Sequence, residues 1–424
     1  MKVAIRGASQ IDARVVLPGS KYIANRLLLM CALAESESRL TNVVNNHDIQ
    51  TSIEGLRQLG YQFEQQSAEL VIKPRVQQPD MKVKLYTAHS GTFSRFVSAI
   101  AALESVPVEI DCSAKMATRP MLELFAGLIE LGVKIDSPNN CLPATITGPV
   151  IGETCAIDAS RSSQYLSALM IIAPRLPQGL TIQLDNQVVS GAYVEMTTRF
   201  MQMMGVQVDQ SAHAIKILPG QKYHGIDFQI PGDAVSASYF MGAAAISGGR
   251  VTIADFDFDS VQGEARFYQV LEQMGVTVTR LGNDLLISGP QQLKGIEVDM
   301  GDMPDAVQTL AAVACYTDGV TKITNIAHLA YKESNRIEDT AHELRKAGVR
   351  VDSGKDYLTI YGGSPHAATF ETHEDHRMAM SLALLGIKTP GIQINNAQVV
   401  EKSFPEYWQY LTAIGIDVNT LVDD

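Results

Sequence analysis

The sequence predicts an α/β protein of two domains, built from six copies of one unit of two helices and several short strands. Three features predict it. The chain has 424 residues, 46% of them hydrophobic and 19% charged, which is too long for one ordinary core and apolar enough to fold throughout. An amphipathic helix closed by glycine and followed by a β-branched run recurs six times, and a second series of helices, apolar nearly all round, recurs at the same period.

The first series reads IEGLRQLGYQF, FAGLIELGVKI, TRFMQMMGVQV, YQVLEQMGVTV, AHELRKAGVRV and YLTAIGIDV. Its glycines, Gly60, Gly132, Gly205, Gly275, Gly348 and Gly415, are spaced by 72, 73, 70, 73 and 67 residues. Each suits the left-handed turn that ends a helix before a strand. The second series is NRLLLMCALA from Asn25, FVSAIAAL from Phe96, YLSALMIIA from Tyr165, SYFMGAAAI from Ser238, AVQTLAAVA from Ala306 and MAMSLALL from Met378. Helices without a polar face belong in a core. Each follows a small or polar turn: Pro18-Gly19-Ser20-Lys21, His89-Ser90-Gly91-Thr92, Ser162-Ser163-Gln164, Asp233-Ala234-Val235-Ser236, Pro304-Asp305 and Asp375-His376-Arg377.

A buried helix exposes only its start, where backbone N–H groups lack intrahelical partners and the dipole is positive. Six such starts are six potential anion sites. If three units pack about a local threefold axis in each half, their starts share a face, and two such faces meeting make an electropositive cleft. The formal charge of −12 excludes an ordinary nucleic-acid binder, whose domain is basic, so any anion must be held by local groups. The turns and their surroundings supply Lys21, Arg26, Arg95, Arg119, Lys332, Arg336, Arg377 and Lys402, with Ser162, Ser163 and Gln164. Arginine takes phosphate or carboxylate through two parallel hydrogen bonds and lysine acts as a point charge, a mixture suited to small, highly charged anions. Asp305 and Glu333 stand among these cations. A site that only bound anions would avoid them, which points to proton transfer or to holding a hydroxyl.

The five cysteines, Cys31, Cys112, Cys141, Cys155 and Cys315, show no CxxC spacing, so reduced thiols are expected rather than disulfides or a zinc site. His373, Asp375 and His376 lie close together but match no metal-binding helix pattern, and no metal is expected. No early segment reads as a secretory signal, and no apolar run is long enough to span a bilayer; a soluble, cytoplasmic protein without membrane partners is expected.

The stretches LPGSKYIANR from Leu17, SGT from Ser90, Arg119-Pro120-Met121, SSQYL from Ser162, VVSGAY to Tyr193, GDAVSASYF from Gly232, MPDA from Met303, YKESNR from Tyr331, EDHRMAM from Glu374 and EKSFPEYW from Glu401 resemble, in order, the signature segments of the EPSP synthase (3-phosphoshikimate 1-carboxyvinyltransferase) family. The resemblance implies an inside-out α/β barrel of two domains with three repeats each, one formed by residues 1–19 plus 232–424 and the other by residues 20–231. It implies transfer of the enolpyruvyl group of phosphoenolpyruvate to the 5-hydroxyl of shikimate 3-phosphate, without a cofactor, by a commonly monomeric enzyme. By position, Lys21, Gly91, Arg119, Gln164, Arg336, Arg377 and Lys402 are implied to hold phosphoenolpyruvate. Lys21, Tyr22, Arg26, Ser162, Ser163, Gln164, Ser190, Tyr193, Asp305, His328 and Lys332 are implied for shikimate 3-phosphate. Lys21, Asp305 and Glu333 are implied as catalytic: Asp305 or Glu333 on the attacking hydroxyl, Lys21 or Glu333 on the enol methylene.

Several positions depart from the family pattern. Tyr22 replaces a serine, His89 an asparagine, Phe93 a small residue, Phe96 a proline, Asn335 an aspartate, and His328 stands where an asparagine is frequent. They bear on the acceptor and on the shape of the phosphoenolpyruvate pocket, which Phe93 and Phe96 are expected to alter, and leave the phosphate-binding cations and both carboxylates in place. Two other readings remain open: a sister transferase acting on a different phosphorylated cyclic alcohol, and a non-catalytic anion-binding homologue. Cys112 lies upstream of Arg119, where a related transferase carries a reactive cysteine, but the spacing to Arg-Pro differs and an ordinary thiol is expected.

Overall fold

The computed structural model describes every residue except 9, 67, 187 and 422–424. The chain divides into two compact units, Gly19–Ile230 and Met1–Pro18 with the chain from Pro231 onward.

In the Gly19–Ile230 unit the helices are α1 Lys21–Ala32, α2 His47–Gln58, α3 Gly91–Ala101, α4 Leu122–Glu130, α5 Ser163–Ile172 and α6 Gly191–Met203. Helices α1, α3 and α5 pack on one another. All twelve residues of α1 are buried, Lys21 and Arg26 included. Three four-stranded sheets accompany them. Each runs first strand parallel to the second, followed by two antiparallel neighbours, as in Thr154–Ile157, Leu180–Leu184, Ala214–Ile217 and Asp209–Gln210. A strand buried by a helix on one face alternates in burial, as Ala214–Ile217 does.

The other unit repeats the plan with α7 Ala234–Ser247, α8 Phe267–Gln273, α9 Val307–Ala314, α10 Arg336–Lys346, α11 His376–Ala383 and α12 Tyr407–Ala413. Here α9 packs against both α7 and α11. The approach of α7 to α9 depends on Gly242, where a Cβ would lie 3.0 Å from the Thr309 methyl and 3.4 Å from Val313. Its three four-stranded sheets follow the same parallel-then-antiparallel order. One repeat takes its first strand, Asp12–Val15, from before the Gly19–Ile230 unit. The chain's first strand, Lys2–Ala8, pairs with both Ile392–Ile394 and Ile416–Leu421 and so completes the last repeat.

The buried helices start earlier than hydrophobicity alone indicates. Lys21 opens α1, Gly91 opens α3, Ser163 opens α5 and His376 opens α11, so most of the polar turns are first helical turns. Capping explains the shift. Ser90, Ser162, Asp233 and Asp375 accept backbone N–H groups at the starts of α3, α5, α7 and α11, which lets a helix begin inside a polar stretch.

The six periodic glycines all adopt positive φ: 88° at Gly60, 89° at Gly132, 91° at Gly205, 97° at Gly275, 79° at Gly348 and 94° at Gly415. At Gly275 the nearest atom to an added Cβ is 3.9 Å away, so only backbone strain opposes a side chain there. Gly275→Ala is expected to lower stability by about 1–2 kcal/mol. Gly363→Ala, where nothing lies within 4 Å and φ is not positive, should change it by less than about 0.5 kcal/mol. Denaturant unfolding of both variants checks the pair.

Candidate functional site

The predicted residues gather into two groups, one in each unit. In the Gly19–Ile230 unit they sit at the starts of α1, α3, α5 and α6. Lys21 donates from Nζ to Asp48 Oδ2 at 3.1 Å. Arg26, 2% exposed, donates to Thr197 Oγ1 at 2.8 Å, to the Tyr22 carbonyl at 3.0 Å and to the Tyr193 carbonyl at 3.1 Å. Its guanidinium also lies 5.5 Å from the Phe96 ring centroid and 5.7 Å from that of Tyr193. Burial pulls its pKa down to about 10, against the opposing influence of Tyr193 and Tyr22, and it stays a cation at neutral pH.

Arg119 crosses the start of α3 so closely that a Cβ on Gly91 would lie 2.2 Å from its Nη1. A side chain at position 91 would therefore displace the guanidinium from the helix start. Gln164 accepts from Arg95 Nη1 at 2.5 Å and donates to Thr92 Oγ1 at 3.1 Å, which ties α5 to α3. Ser162 caps α5 through Gln164 N, and Ser163 is buried beside it. Ser190 holds a left-handed conformation, φ 52° and ψ 51°, a strained state for a non-glycine residue of the kind that clusters at binding sites. Its hydroxyl is buried, with no hydrogen-bond partner among the described residues. The rings of Tyr22 and Tyr193 meet with centroids 5.2 Å apart.

Phe93 and Phe96, expected to alter the shape of the phosphoenolpyruvate pocket, carry their bulk inside the unit. Both rings are wholly buried; a Cβ on Gly55 of α2 would lie 2.5 Å from the Phe93 ring, and Phe96 lies beneath Arg26. They set the packing of α3. His89 is held by Ser113 Oγ at 2.8 Å from Nδ1.

In the other unit the group centres on Arg336, 1% exposed. It donates from Nη1 to Asp305 Oδ1 at 2.6 Å, from Nε to Asp375 Oδ2 at 2.7 Å, and from Nη2 to Glu333 Oε2 at 2.9 Å and Asp375 Oδ1 at 3.2 Å. Burial, the largest single influence, favours its neutral form, but the charges of Asp375, Glu333 and Asp305 together outweigh it and raise the pKa further. Lys402 Nζ reaches Glu333 Oε1 at 2.7 Å. Arg377 donates to the Tyr239 hydroxyl at 2.9 Å and to Asp305 Oδ2 at 3.4 Å. Lys332 is half-buried in the same segment. His328, 5% exposed, has a buried Nε2 without a partner among the described residues; burial and then the charge of Lys332 lower its pKa to about 4, so the imidazole is neutral at pH 7. Asp305, Glu333, Arg336, Arg377 and Lys402 thus form one connected network at the starts of α9, α10 and α11.

Comparison with known proteins shows the family. A family model for EPSP synthase (3-phosphoshikimate 1-carboxyvinyltransferase) covers residues 5–411. A 3-phosphoshikimate 1-carboxyvinyltransferase of Trichormus variabilis is 39% identical over 412 residues, 94% of this chain and 95% of the relative. One from Photobacterium profundum is 34% identical over 422 residues, 97% of this chain and 98% of the relative. The chain belongs to the EPSP synthase family. The solved EPSP synthase of Acinetobacter baumannii superposes with a TM-score of 0.82 at 24% identity, over 99% of this chain and 100% of that one, and has the same two-domain fold.

Within this EPSP synthase framework three buried acids escaped the sequence reading as site residues. Asp48 holds Lys21, Asp375 holds Arg336, and Glu264 accepts the backbone N–H of Asp305 at 3.1 Å. Burial, then the Asp305 charge, raises the Glu264 carboxyl to about 7. Asp375 carried a signal: with Asp233 and Asp305 it stands at one position of the repeat, spaced by about 70 residues. Glu264 and Asp48 carried none. Burial and then Asp111 push the Cys112 thiol up to about 11. All five cysteines are free. Among the described residues no group of three or more His, Cys, Asp or Glu could hold a metal ion, and no helix is long and apolar enough to cross a membrane.

Asp375→Ala removes the bidentate partner of a buried guanidinium and should cost about 3–5 kcal/mol in denaturant unfolding. His328 gives a signed pH dependence. Its folded pKa near 4 lies below the ordinary 6.5, so its contribution is complete above pH 6.5 and is lost as pH falls toward 4. The loss should be about 3 kcal/mol. His328→Asn should remove that part of the acid sensitivity, read as the wild-type minus variant difference in stability between pH 7 and pH 4.

Proposed function

We propose that this protein transfers the enolpyruvyl group of phosphoenolpyruvate to the 5-hydroxyl of shikimate 3-phosphate, releasing inorganic phosphate. The observation that carries the reading is the buried network joining Asp305, Glu333, Arg336, Arg377 and Lys402, in a chain whose relatives are named for this reaction over nearly their whole length. A protein that only bound anions has no use for two carboxylates wired into its cations.

We assign Arg119, Arg377 and Lys402, with Lys21, Gly91, Gln164 and Arg336, to the phosphate and carboxylate of phosphoenolpyruvate. Arginine pairs suit its planar carboxylate, and the lysines supply point charge to its phosphate. Shikimate 3-phosphate is assigned to Ser162, Ser163, Ser190, Tyr193, Lys21, Tyr22, Arg26, Gln164, Asp305, His328 and Lys332. The Ser190 hydroxyl, without a partner among the described residues, and the neutral His328 ring suit a ligand that brings its own donors and acceptors. A neutral His328 can hydrogen-bond a sugar-like hydroxyl as an asparagine does, without adding charge.

The reaction is an addition followed by an elimination. The substrate 5-oxygen bonds to C2 of phosphoenolpyruvate as C3 takes a proton. C3 then loses a proton and the C2–O bond to phosphate breaks, leaving the enol ether. Asp305 or Glu333 accepts the hydroxyl proton, and Lys21 or Glu333 handles the proton at C3. Held among fixed cations, the intermediate's phosphate and carboxylate need little reorganisation as charge moves, the usual source of most of an enzyme's advantage.

Proton NMR of a mixture with both substrates should show the two methylene signals of the enol ether growing at the expense of phosphoenolpyruvate. Turnover of another phosphorylated cyclic alcohol, with none of shikimate 3-phosphate, would establish the sister-transferase reading instead. Asp305→Asn should lower kcat by about 10²- to 10⁴-fold, measured by the same assay; an unchanged kcat removes Asp305 from the proton transfer.

A further inference from the structure

The three aspartates at one position of the repeat do different work. Asp233 and Asp305 each open the same tripeptide, Asp-Ala-Val, at the start of a buried helix. Asp233 Oδ2 caps its own helix, accepting from Ser236 N and Ser236 Oγ at 2.8 Å each. Asp375 Oδ1 does likewise, accepting from Arg377 N at 2.9 Å. At α9 the pattern breaks. The Asp305 carboxylate takes Arg336 Nη1 at 2.6 Å and Arg377 Nη2 at 3.4 Å, and the short helical turn Pro304–Ala306 precedes α9. Pro304 has no N–H, so the N–H of Asp305 is the first at this helix start, and it donates to Glu264 Oε1 at 3.1 Å.

Glu264 comes from the turn Gly263–Arg266, ahead of α8, and is wholly buried. That turn is seated directly on the segment leading to Asp305: a Cβ on Gly263 would lie 1.7 Å from the Asp302 carbonyl oxygen. The approach therefore requires glycine at position 263, immediately before the acid that makes the contact.

We propose that Glu264 is the positioning residue for Asp305, holding from another repeat the backbone N–H that at Asp233 and Asp375 is held by the main-chain carbonyls of Pro18 and Thr372, at 2.9 and 2.8 Å. The proposal rests on the reading of Asp305 as a catalytic residue. Glu264 acts through the backbone N–H at position 305 and need not touch either substrate. An acceptor oxygen is what that N–H requires, and a neutral amide provides one.

The test compares Glu264→Gln, which keeps an acceptor, with Glu264→Met, of similar length and without one. The Met variant should lose tenfold or more in kcat while KM for phosphoenolpyruvate moves less than about threefold, since small displacements of a reacting group weigh on kcat. The Gln variant should stay within about threefold of wild type in both. In the absence of substrates, hydrogen exchange at the Asp305 amide should be slow in wild type and Gln and faster in Met. Wild-type kcat in a folded Met variant, or a Gln variant as impaired as Met, would overturn the proposal. Should the Met variant not fold, rapid exchange at the Asp305 amide of the wild-type protein overturns it alone. If wild type forms no product from the two substrates, the functional reading fails, and amide exchange still decides the contact.

Discussion

A helix with no polar face can be buried along its whole length, and then only its start can meet a ligand. This constraint places the candidate site. Helices α1, α3, α5, α7, α9 and α11 are almost wholly buried, so groups able to meet an anion concentrate in their first turns and in the loops before them. Lys21, Gly91, Ser163 and Arg377 all lie within the first two residues of such a helix. An acidic chain can then hold doubly charged ligands, because the positive potential comes from aligned backbone dipoles and a few local cations rather than from net charge.

The same burial makes the charge balance demanding. A guanidinium that is 1% exposed is stable only with its hydrogen bonds filled, and Arg336 fills them with three carboxylates from three segments. Asp375 does two jobs, capping α11 and bracing Arg336, so the position of α10 relative to α11 is fixed by a charge pair. The Asp305 carboxylate takes Arg336 and Arg377 from two other helix starts, while Glu264 holds its backbone N–H. His328, buried and beside Lys332, is held neutral.

Much of the architecture was legible in the sequence because it follows from local rules. The period of the glycines appears in the structure as six left-handed turns, and the apolar helices occur in all six places. Their starts were less legible. Lys21 and Gly91 read as turn residues because hydrophobicity begins several residues later, whereas Ser90 caps the backbone and lets α3 begin at once. Phe93 and Phe96 read as bulk, but where that bulk packs depends on what lies opposite, here Gly55 and Arg26. The cations and the two carboxylates were legible as a charged set. Their wiring was not, since Arg336 meets Asp305 and Asp375 across more than thirty residues of chain on each side. Glu264 lies forty-one residues from its partner and belongs to no visible motif; only the packing of one turn on another reveals it.

Release of inorganic phosphate by the purified protein, with phosphoenolpyruvate and shikimate 3-phosphate together and with each alone, tests the central claim most directly. The account predicts rapid release that requires both substrates. Release from phosphoenolpyruvate alone at the same rate, or none from the folded protein with both present, would contradict it.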